Sequence, residues 1–383
     1  MRLSTRTGQG CSAVVSAALS GSGLVMLTRA TLKVLPGRWR APGVGAVTPV
    51  DARWVADRFA LGAVRSVEWV ARGALGEVHR LVTDTGPYAV KRAFWREDPG
   101  DVVESRARFE VGLVERCVAA GVHAPRPVLT GDGTVVARDD SGTGWRVHEF
   151  APGVVPDRSD IAAEHWVLGQ AALIHRLEGE PMPGDTVHPF YRDCAVDWSD
   201  LADRAVASGA DWAGGLRSRA TELDDLGAWA SSVPLGAPVL CHRDLRASNT
   251  LLDDDGTRWL LEWDEVSAHV PAREVGTVLL HHVPDEAALV TLAAAYGHVG
   301  GTELPEGAEP FASGVAVWLN FLAGQVEVLR DPDNDADHRE FALPNLRGLV
   351  EDVPGMPALA RCGVVAGQAA NRARTRGPRT MGA

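Results

Sequence analysis

The sequence predicts an α+β fold of two lobes, a small β-rich N-terminal lobe and a larger, mainly helical C-terminal lobe. Short apolar runs broken by glycine fill residues 64–93, a pattern typical of antiparallel strands joined by tight turns. Beyond about residue 154, apolar residues recur at helical spacing. Ala151-Pro152-Gly153 interrupts the pattern between these two regions, which places the lobe boundary there.

Within the small lobe, Asp84-Thr85-Gly86 supplies turn chemistry between the second and third runs. A helix is predicted over 104–120, where Gly121 ends an apolar stripe that includes one charged residue, Glu110. Further strands are expected at 127–129, 134–137 and 145–150. In the large lobe, a strand-loop-strand unit around 239–263 interrupts helices predicted at 161–177, 198–207, 216–230, 286–296 and 313–329.

The composition is that of a globular protein, with 45% hydrophobic and 23% charged residues among 383. The net charge of −12 argues against a general nucleic-acid binder, because affinity for phosphate backbones needs clustered basic residues. The body of the chain has no stretch of about 20 predominantly apolar residues free of charge, so nothing there is predicted to span a membrane. The five scattered cysteines form no CxxC pair and favour a reducing, cytoplasmic setting. No obligate protein partner is evident.

Both ends of the chain are predicted to lie outside the folded lobes. Residues 1–50 contain six basic residues and no acid, and we interpret them as a disordered extension or an upstream start. The apolar run at 13–27 also faintly resembles a signal peptide. Residues 361–383, rich in arginine, glycine and alanine, are expected to be an unfolded tail. The folded lobes are therefore predicted at 51–150 and 154–360.

His242-Arg243-Asp244, followed by Asn249, forms an H-x-D-x-x-x-x-N loop. In such a loop the aspartate is a catalytic base and the asparagine binds a metal ion, whereas the histidine is expected to brace the loop. Asp255-Gly256 lies between two apolar runs and predicts a hairpin turn. That hairpin would return Glu262 to the side of Asn249, where both could reach one cation.

This loop, the hairpin and the acidic-Trp-acidic segment after it resemble the aminoglycoside phosphotransferase and choline kinase superfamily, whose fold is similar to that of protein kinases. The resemblance covers about 64–330 and implies ATP and Mg²⁺ as cofactors, with Asn249 and Glu262 as metal ligands. Ala89-Val90-Lys91 resembles the strand motif whose lysine binds the α- and β-phosphates, with Glu110 as its ion-pair partner.

Two further segments fit the resemblance. Gly73 and Gly76 lie where the glycine-rich loop over the phosphates is expected. The segment 147–153 resembles the hinge of the family, in which backbone groups near Glu149 and Ala151 would bind adenine.

The sequence departs from the family pattern at two positions. Glu262 stands where the family has a metal-binding aspartate, and glutamate is longer by one carbon. Asp264 is a substitute ligand if the strand continues, because it would then lie on the same face. Arg246 stands where the family commonly has histidine, and its guanidinium is expected to act with Asp244 in catalysis by neutralising the transferred phosphoryl group.

The predicted function is an ATP-dependent O-phosphotransferase acting on a hydroxyl of a small molecule, with an aminoglycoside or another antibiotic as one acceptor class. Glu262 motivates the alternative of a kinase-like protein that binds nucleotide or ligand with weak or no turnover. A protein kinase is disfavoured, because no D-F-G or A-P-E element follows the loop.

Overall fold

The computed structural model describes residues 49–72, 76–93, 100–157, 160–177, 180–182, 184–331 and 336–377. The predicted extension up to residue 48, Gly73 and the end of the predicted tail from 378 lie outside the described residues. The chain forms two compact units, and the first comprises the described residues that fall within 49–112, 125–155 and 251–257. The second unit comprises the remaining described residues. Residues 251–257, the tip of a hairpin, thus belong to the first unit. The predicted boundaries of 51–150 and 154–360 had placed them in the second lobe.

The first unit is β-rich. Its helices and strands are α1 (Pro49–Arg58), β1 (Val64–Arg72), β2 (Gly76–Thr83), β3 (Pro87–Ala93), most of α2 (Gly100–Ala119), β4 (Pro127–Val128), β5 (Ala137–Arg138) and β6 (Gly144–Glu149). The strands form one antiparallel sheet in the order β1-β2-β3-β6-β4, with β5 also paired to β6. The predicted helix at 104–120 is confirmed, and its stripe of Glu110, Leu113, Val114 and Cys117 is buried.

An apolar core joins α1 to the sheet. Ala52 and Val55 of α1 are buried in one cluster with Leu81, Val90 and Trp145 of the strands. Side chains alternate between the faces of a strand, so this face is covered by α1 while the neighbouring residues point to the other face. The predicted lobe began at residue 51, and no helix was predicted at its start. The helix α1 begins at Pro49, inside the segment whose composition was interpreted as an extension.

The second unit is mainly helical. Its helices and strands are α3 (Ile161–His175), α4 (Trp198–Ala207), α5 (Ala213–Ser232), β7 (Val239–Cys241), β8 (Thr250–Leu252, whose end belongs to the first unit), β9 (Arg258–Leu260), β10 (Ser267–His269), α6 (Pro271–Leu280), α7 (Glu286–His298), α8 (Ala312–Arg330), α9 (Ala336–Asp352) and α10 (Met356–Thr375). All five predicted helices are present. The predicted α+β class is confirmed.

The prediction of an unfolded tail from residue 361 is wrong over the described residues. Helix α10 extends to Thr375, and it buries Leu359, Cys362, Ala366 and Ala370. Its arginines in the last turn complement the helix dipole. The buried side chains are mostly alanine and glycine, which carry little of the apolar periodicity by which sequence analysis finds helices.

Among the residues that the structure describes, one helical segment, Glu309–Arg330, is long and apolar enough by composition to cross a membrane, but 72% of its most apolar window is buried inside the protein. Val315, Leu319, Leu322 and Val326 of this segment are fully buried. A core helix of this kind passes the same test of length and hydropathy, so the segment is weak evidence for a membrane span.

Candidate active site

The loop from His242 to Asn249 is anchored by a strand at its start and a short 3₁₀ turn at its end. Strand β7 pairs antiparallel with β10, with Cys241 opposite Ser267. Residues Ala247–Asn249 form the 3₁₀ turn, and the Thr250 hydroxyl caps it by donating to Ala247 O at 2.8 Å. The loop therefore has fixed backbone on both sides of Asp244.

The carboxylate of Asp244 contacts two other predicted site residues. Asn249 Nδ2 donates to Asp244 Oδ2 at 2.7 Å and to Asp244 O at 2.9 Å. Arg246 Nη2 donates to Asp244 Oδ1 in a charge-assisted hydrogen bond. The structure thus brings Asp244, Arg246 and Asn249 into one hydrogen-bonded cluster, and the Asp244 side chain is 13% exposed.

His242 braces this loop, as its position predicted. Its side chain is fully buried, Nδ1 accepts the Asp244 N–H at 3.2 Å, and Nε2 lies 2.9 Å from Leu261 O. Since Nδ1 accepts and a carbonyl can only accept, the proton lies on Nε2. Burial lowers the pKa of His242, which favours this neutral ring. The ring also packs edge-on against Trp263, with centroids 4.7 Å apart.

Arg243 holds a strained backbone next to Asp244. Its φ of 71° is in the left-handed region, which costs a non-glycine residue about 1 kcal/mol. The guanidinium lies over the Tyr191 ring at 4.1 Å and pairs with Glu265 at 3.6 Å. The Arg243 N–H donates to Glu274 Oε1. These contacts fix the backbone conformation that presents Asp244.

Glu274, on α6, belongs to a buried network that sequence analysis missed. Its Oε2 accepts from His175 Nε2 at 2.6 Å, and His175 Nδ1 lies 2.9 Å from the Tyr296 hydroxyl. Burial alone would raise the pKa of Glu274, but the hydrogen bonds from His175 and the Arg243 N–H outweigh it and lower that pKa. A single acid within a helical segment carries no motif that could have revealed this role.

The same cluster is a poor metal site. Ligand atoms of His175, Cys241 and Glu274 lie within 4.8 Å of one another, and all three side chains are buried. His175 Nε2 and Glu274 Oε2, however, are at hydrogen-bond distance, whereas two ligands of a tetrahedral ion at about 2 Å lie roughly 3.3 Å apart. We interpret the group as a hydrogen-bonded brace.

The hairpin of β8 and β9 brings the next acid to Asn249, as predicted. The Leu261 N–H donates to Asn249 O at 2.9 Å, so Glu262 follows the residue paired with Asn249. Glu262 is exposed and has φ 59° and ψ 54°, again left-handed. The argument for Asp264 is wrong in its premise, because the strand ends at Leu260 and Asp264 lies in a 3₁₀ turn. Its role as a metal ligand stays a prediction.

In the first unit, Lys91 lies on β3 directly opposite Arg146 of β6, so the two share one face of the sheet. Glu110 of α2 pairs with Arg146 at 2.5 Å and lies 3.9 Å from His148 Nε2. The predicted pair of Glu110 with Lys91 stays a prediction. Sequence analysis missed Arg146, although its alternation with His148 along β6 marks both as residues of one face.

The other nucleotide-binding predictions remain untested. A Cβ on Gly76 would lie 2.5 Å from Arg92 O, so close pairing of β2 with β3 is enough to require glycine there. The Glu149 N–H donates to Arg126 O at 2.8 Å, so an adenine contact by Glu149 would need another group. Ala151 is buried and follows the end of β6.

A β-rich unit with a strand lysine, together with a helical unit that holds an H-x-D-x-x-x-x-N loop and a buried brace, defines a kinase-type phosphotransferase. The phosphotransferase enzyme family matches residues 66–311, more than half of the chain, and the protein belongs to that family. The predicted superfamily and the predicted enzyme class, a small-molecule kinase, are confirmed.

Solved structures of this superfamily share the fold at low sequence identity. Spectinomycin phosphotransferase matches with a TM-score of 0.60 and 11% identity, over 82% of this chain and 98% of that one. An aminoglycoside phosphotransferase from Alicyclobacillus acidocaldarius matches with 0.55 and 15%, over 89% and 99%. A choline kinase from Streptococcus pneumoniae matches with 0.50 and 13%, over 79% and 97%.

Proposed function

We propose that the protein transfers the γ-phosphoryl group of ATP to a hydroxyl of a small molecule, with Asp244 as the catalytic base. The cluster of Asp244, Asn249 and Arg246 is the observation that carries this proposal, because phosphoryl transfer depends on positioned carboxylate, amide and cationic groups. His242 and Glu274 hold the backbone N–H groups of Asp244 and Arg243 at the start of that cluster.

In the proposed reaction, Asp244 accepts the proton of the acceptor hydroxyl. The hydroxyl oxygen forms a bond to the γ-phosphorus while the bond from that phosphorus to the β,γ-bridging oxygen breaks, and ADP leaves. Arg246 contacts Asp244, and in this proposal its guanidinium shares the charge of the transferred group. Lys91 binds the α- and β-phosphates in this proposal.

The residues that flank the hairpin fit a magnesium ion chemically. Because Asn249 donates through Nδ2 to Asp244, its Oδ1 is the amide atom left for a cation. Glu262 offers carboxylate oxygens next to the backbone pair of Leu261 and Asn249, and Mg²⁺ prefers oxygen ligands. Asp264 is the second carboxylate of this set. When bound, Mg²⁺ would neutralise phosphate charge.

The acceptor is proposed to be neutral or cationic, in keeping with the net charge of −12. Proteins with this fold include kinases named for spectinomycin and choline, which supports a small polar acceptor and an antibiotic as one candidate. The described cysteines are free, and we place the protein in a reducing compartment, the cytoplasm.

The test is Mg²⁺-dependent ATP consumption over a panel of aminoglycosides, amino alcohols and sugars. We expect at least one acceptor to stimulate turnover, and we expect Asp244→Asn to abolish it. Asp225→Asn is a suitable control, since Asp225 lies on α5 outside the site. Turnover that survives Asp244→Asn would contradict the assignment of the base.

Glu262 supports a second candidate, a kinase-like binding protein with little turnover. The side chain is longer than the aspartate of the family and starts from a left-handed backbone, while magnesium tolerates altered ligand geometry poorly. Glu262→Asp distinguishes the two. If the wild type binds nucleotide without turnover and Glu262→Asp gains turnover, the binding protein is the correct function.

A further inference from the structure

We infer that Tyr296 and Asn371 are positioning residues for the catalytic loop, linked to it by one path of hydrogen bonds and intervening loop backbone that runs from α10 to the backbone beside Asp244. The path lies within the described residues of the second unit and ends outside the segment 66–311 matched by the family. The inference rests on the proposed function for its catalytic consequence, whereas its structural consequence can be measured without any acceptor.

The inner part of the path joins the Tyr296 hydroxyl to the backbone beside Asp244. A carboxylate can only accept, so His175 Nε2 donates to Glu274 Oε2. On the other side of the ring, His175 Nδ1 lies 2.9 Å from its hydrogen-bond partner, the Tyr296 hydroxyl. The other Glu274 oxygen holds the Arg243 N–H, one residue before Asp244. The hydroxyl of Tyr296 therefore orients the ring that orients the carboxylate.

The middle part of the path is the loop after α7, which encloses the Tyr296 ring. Thr302 approaches the Tyr296 hydroxyl with its N–H at 3.0 Å and its Oγ1 at 2.9 Å. A Cβ on Gly301 would lie 2.4 Å from Tyr296 Cε1, so glycine is needed for this enclosure. Arg176 Nη1 donates to Val299 O at 2.8 Å and fixes the start of the loop.

The outer part of the path is Asn371 on α10. Its Oδ1 accepts the Leu304 N–H at 3.1 Å, and its Nδ2 donates to Leu304 O at 2.9 Å. Helix α10 packs closely on α7, since a Cβ on Gly297 would lie 2.1 Å from Ala370 O. The position of α10 therefore sets the loop that holds Tyr296.

These contacts matter because the strained backbone of Arg243 must be held in place. Tyr296, His175 and Glu274 are at most 5% exposed, so water cannot replace a lost partner. Without the hydroxyl, His175 loses the group that fixes its ring, and Glu274 loses a fixed donor. A displacement of about 1 Å at a catalytic group can lower a rate by up to roughly 100-fold.

The test compares Tyr296→Phe and Asn371→Ala with the wild type. A matched control is Gln368→Ala, on the same helix, where Gln368 donates to Glu306 and accepts from Arg372 in exposed bonds outside the path. We would measure basal Mg²⁺-ATP hydrolysis, in which water is the acceptor, and the hydrogen exchange of the Arg243 amide without ligands. Both are measured well below each variant's melting temperature.

We expect both variants to lower kcat about tenfold or more, to leave KM for ATP within about twofold, and to accelerate exchange at Arg243. Gln368→Ala should change none of these values. The double variant should lose no more rate than the worse single variant, because both act on one path. Unchanged exchange at Arg243, a change confined to KM, or losses that multiply in the double variant would overturn the inference.

Failure of the proposed function would look different. If wild-type hydrolysis is absent or unaffected by Asp244→Asn, the assignment of the base fails. In that case the hydrogen exchange of the Arg243 amide in Tyr296→Phe and Asn371→Ala is the remaining test of this inference. Faster exchange in both variants would support it, and exchange at the wild-type rate in either variant would overturn it.

Discussion

Replacement of His79 by leucine is expected to stabilise the first unit. His79 lies on β2 with 2% exposure, among Val55, Val67, Leu81 and Val90, and neither ring nitrogen has a hydrogen-bond partner in the described chain. An unpaired buried polar group costs about 1–3 kcal/mol. Leucine is of similar size and suits the apolar surroundings, so His79→Leu should raise the unfolding free energy by about that amount near neutral pH.

The gain should grow as the pH falls. Burial lowers the pKa of His79 from its ordinary value of 6.5, with Glu77 opposing and Arg92 reinforcing the shift. Below pH 6.5 the unfolded chain therefore binds a proton at this residue that the folded unit does not. The wild type loses stability there by up to about 1.4 kcal/mol per pH unit until the folded pKa is reached, and the variant lacks this loss.

Hydrogen exchange of β2 and β3 peptides, followed at several pH values, measures the opening of the first unit. A suitable control is His123→Leu, since His123 is exposed and lies in the second unit. The control should leave the exchange of β2 and β3 unchanged. The reasoning is refuted if His79→Leu accelerates that exchange near neutral pH, or if the difference from wild type does not grow on acidification.

Three further predictions concern packing and the brace. Gly363→Ala should lower the unfolding free energy by at least about 2 kcal/mol in urea denaturation, since its Cβ would lie 1.7 Å from Gly307 O; wild-type stability would show that α10 can shift. Gly112→Ala, inside α2 with open space around the Cβ, should instead add about 0.5–1 kcal/mol in the same assay, and a loss would contradict this. Glu274→Gln retains one accepting oxygen for two donors, the Arg243 N–H and His175. The change should therefore lower the unfolding free energy by about 2–3 kcal/mol and slow turnover. An unchanged melting temperature and an unchanged kcat would contradict this prediction.

The sequence predicted those parts of the site whose residues lie in one continuous segment of the chain. The spacing of His242, Asp244 and Asn249 fixes their approach within a single loop, and the turn at Asp255-Gly256 returns the chain to Asn249. The helices with large apolar side chains, such as α8, were likewise predictable, because their periodicity is strong.

The missed parts depend on contacts between distant segments or on small side chains. Glu274 acquires its role only because α6 packs beside His175 and Arg243, which are 99 and 31 residues away. Helix α10 buries alanine and glycine against neighbouring backbone, so its sequence lacks an apolar stripe of large residues. Asp264 was placed by strand alternation, and the left-handed turn at Glu262 removes that regularity.

The buried helix α8 shows that the folded second unit extends beyond the residues that the family matches. The family match ends at residue 311, and α8 begins at Ala312 with most of its residues buried. Trp318 on that helix donates to Leu349 O of α9 at 3.0 Å, so the interior continues well past the match. A polypeptide trimmed to the matched residues would therefore retain Asp244 and Asn249 but lose part of the core of the unit that contains them. If such a fragment were inactive, that result would not test the catalytic role of Asp244 in the whole chain.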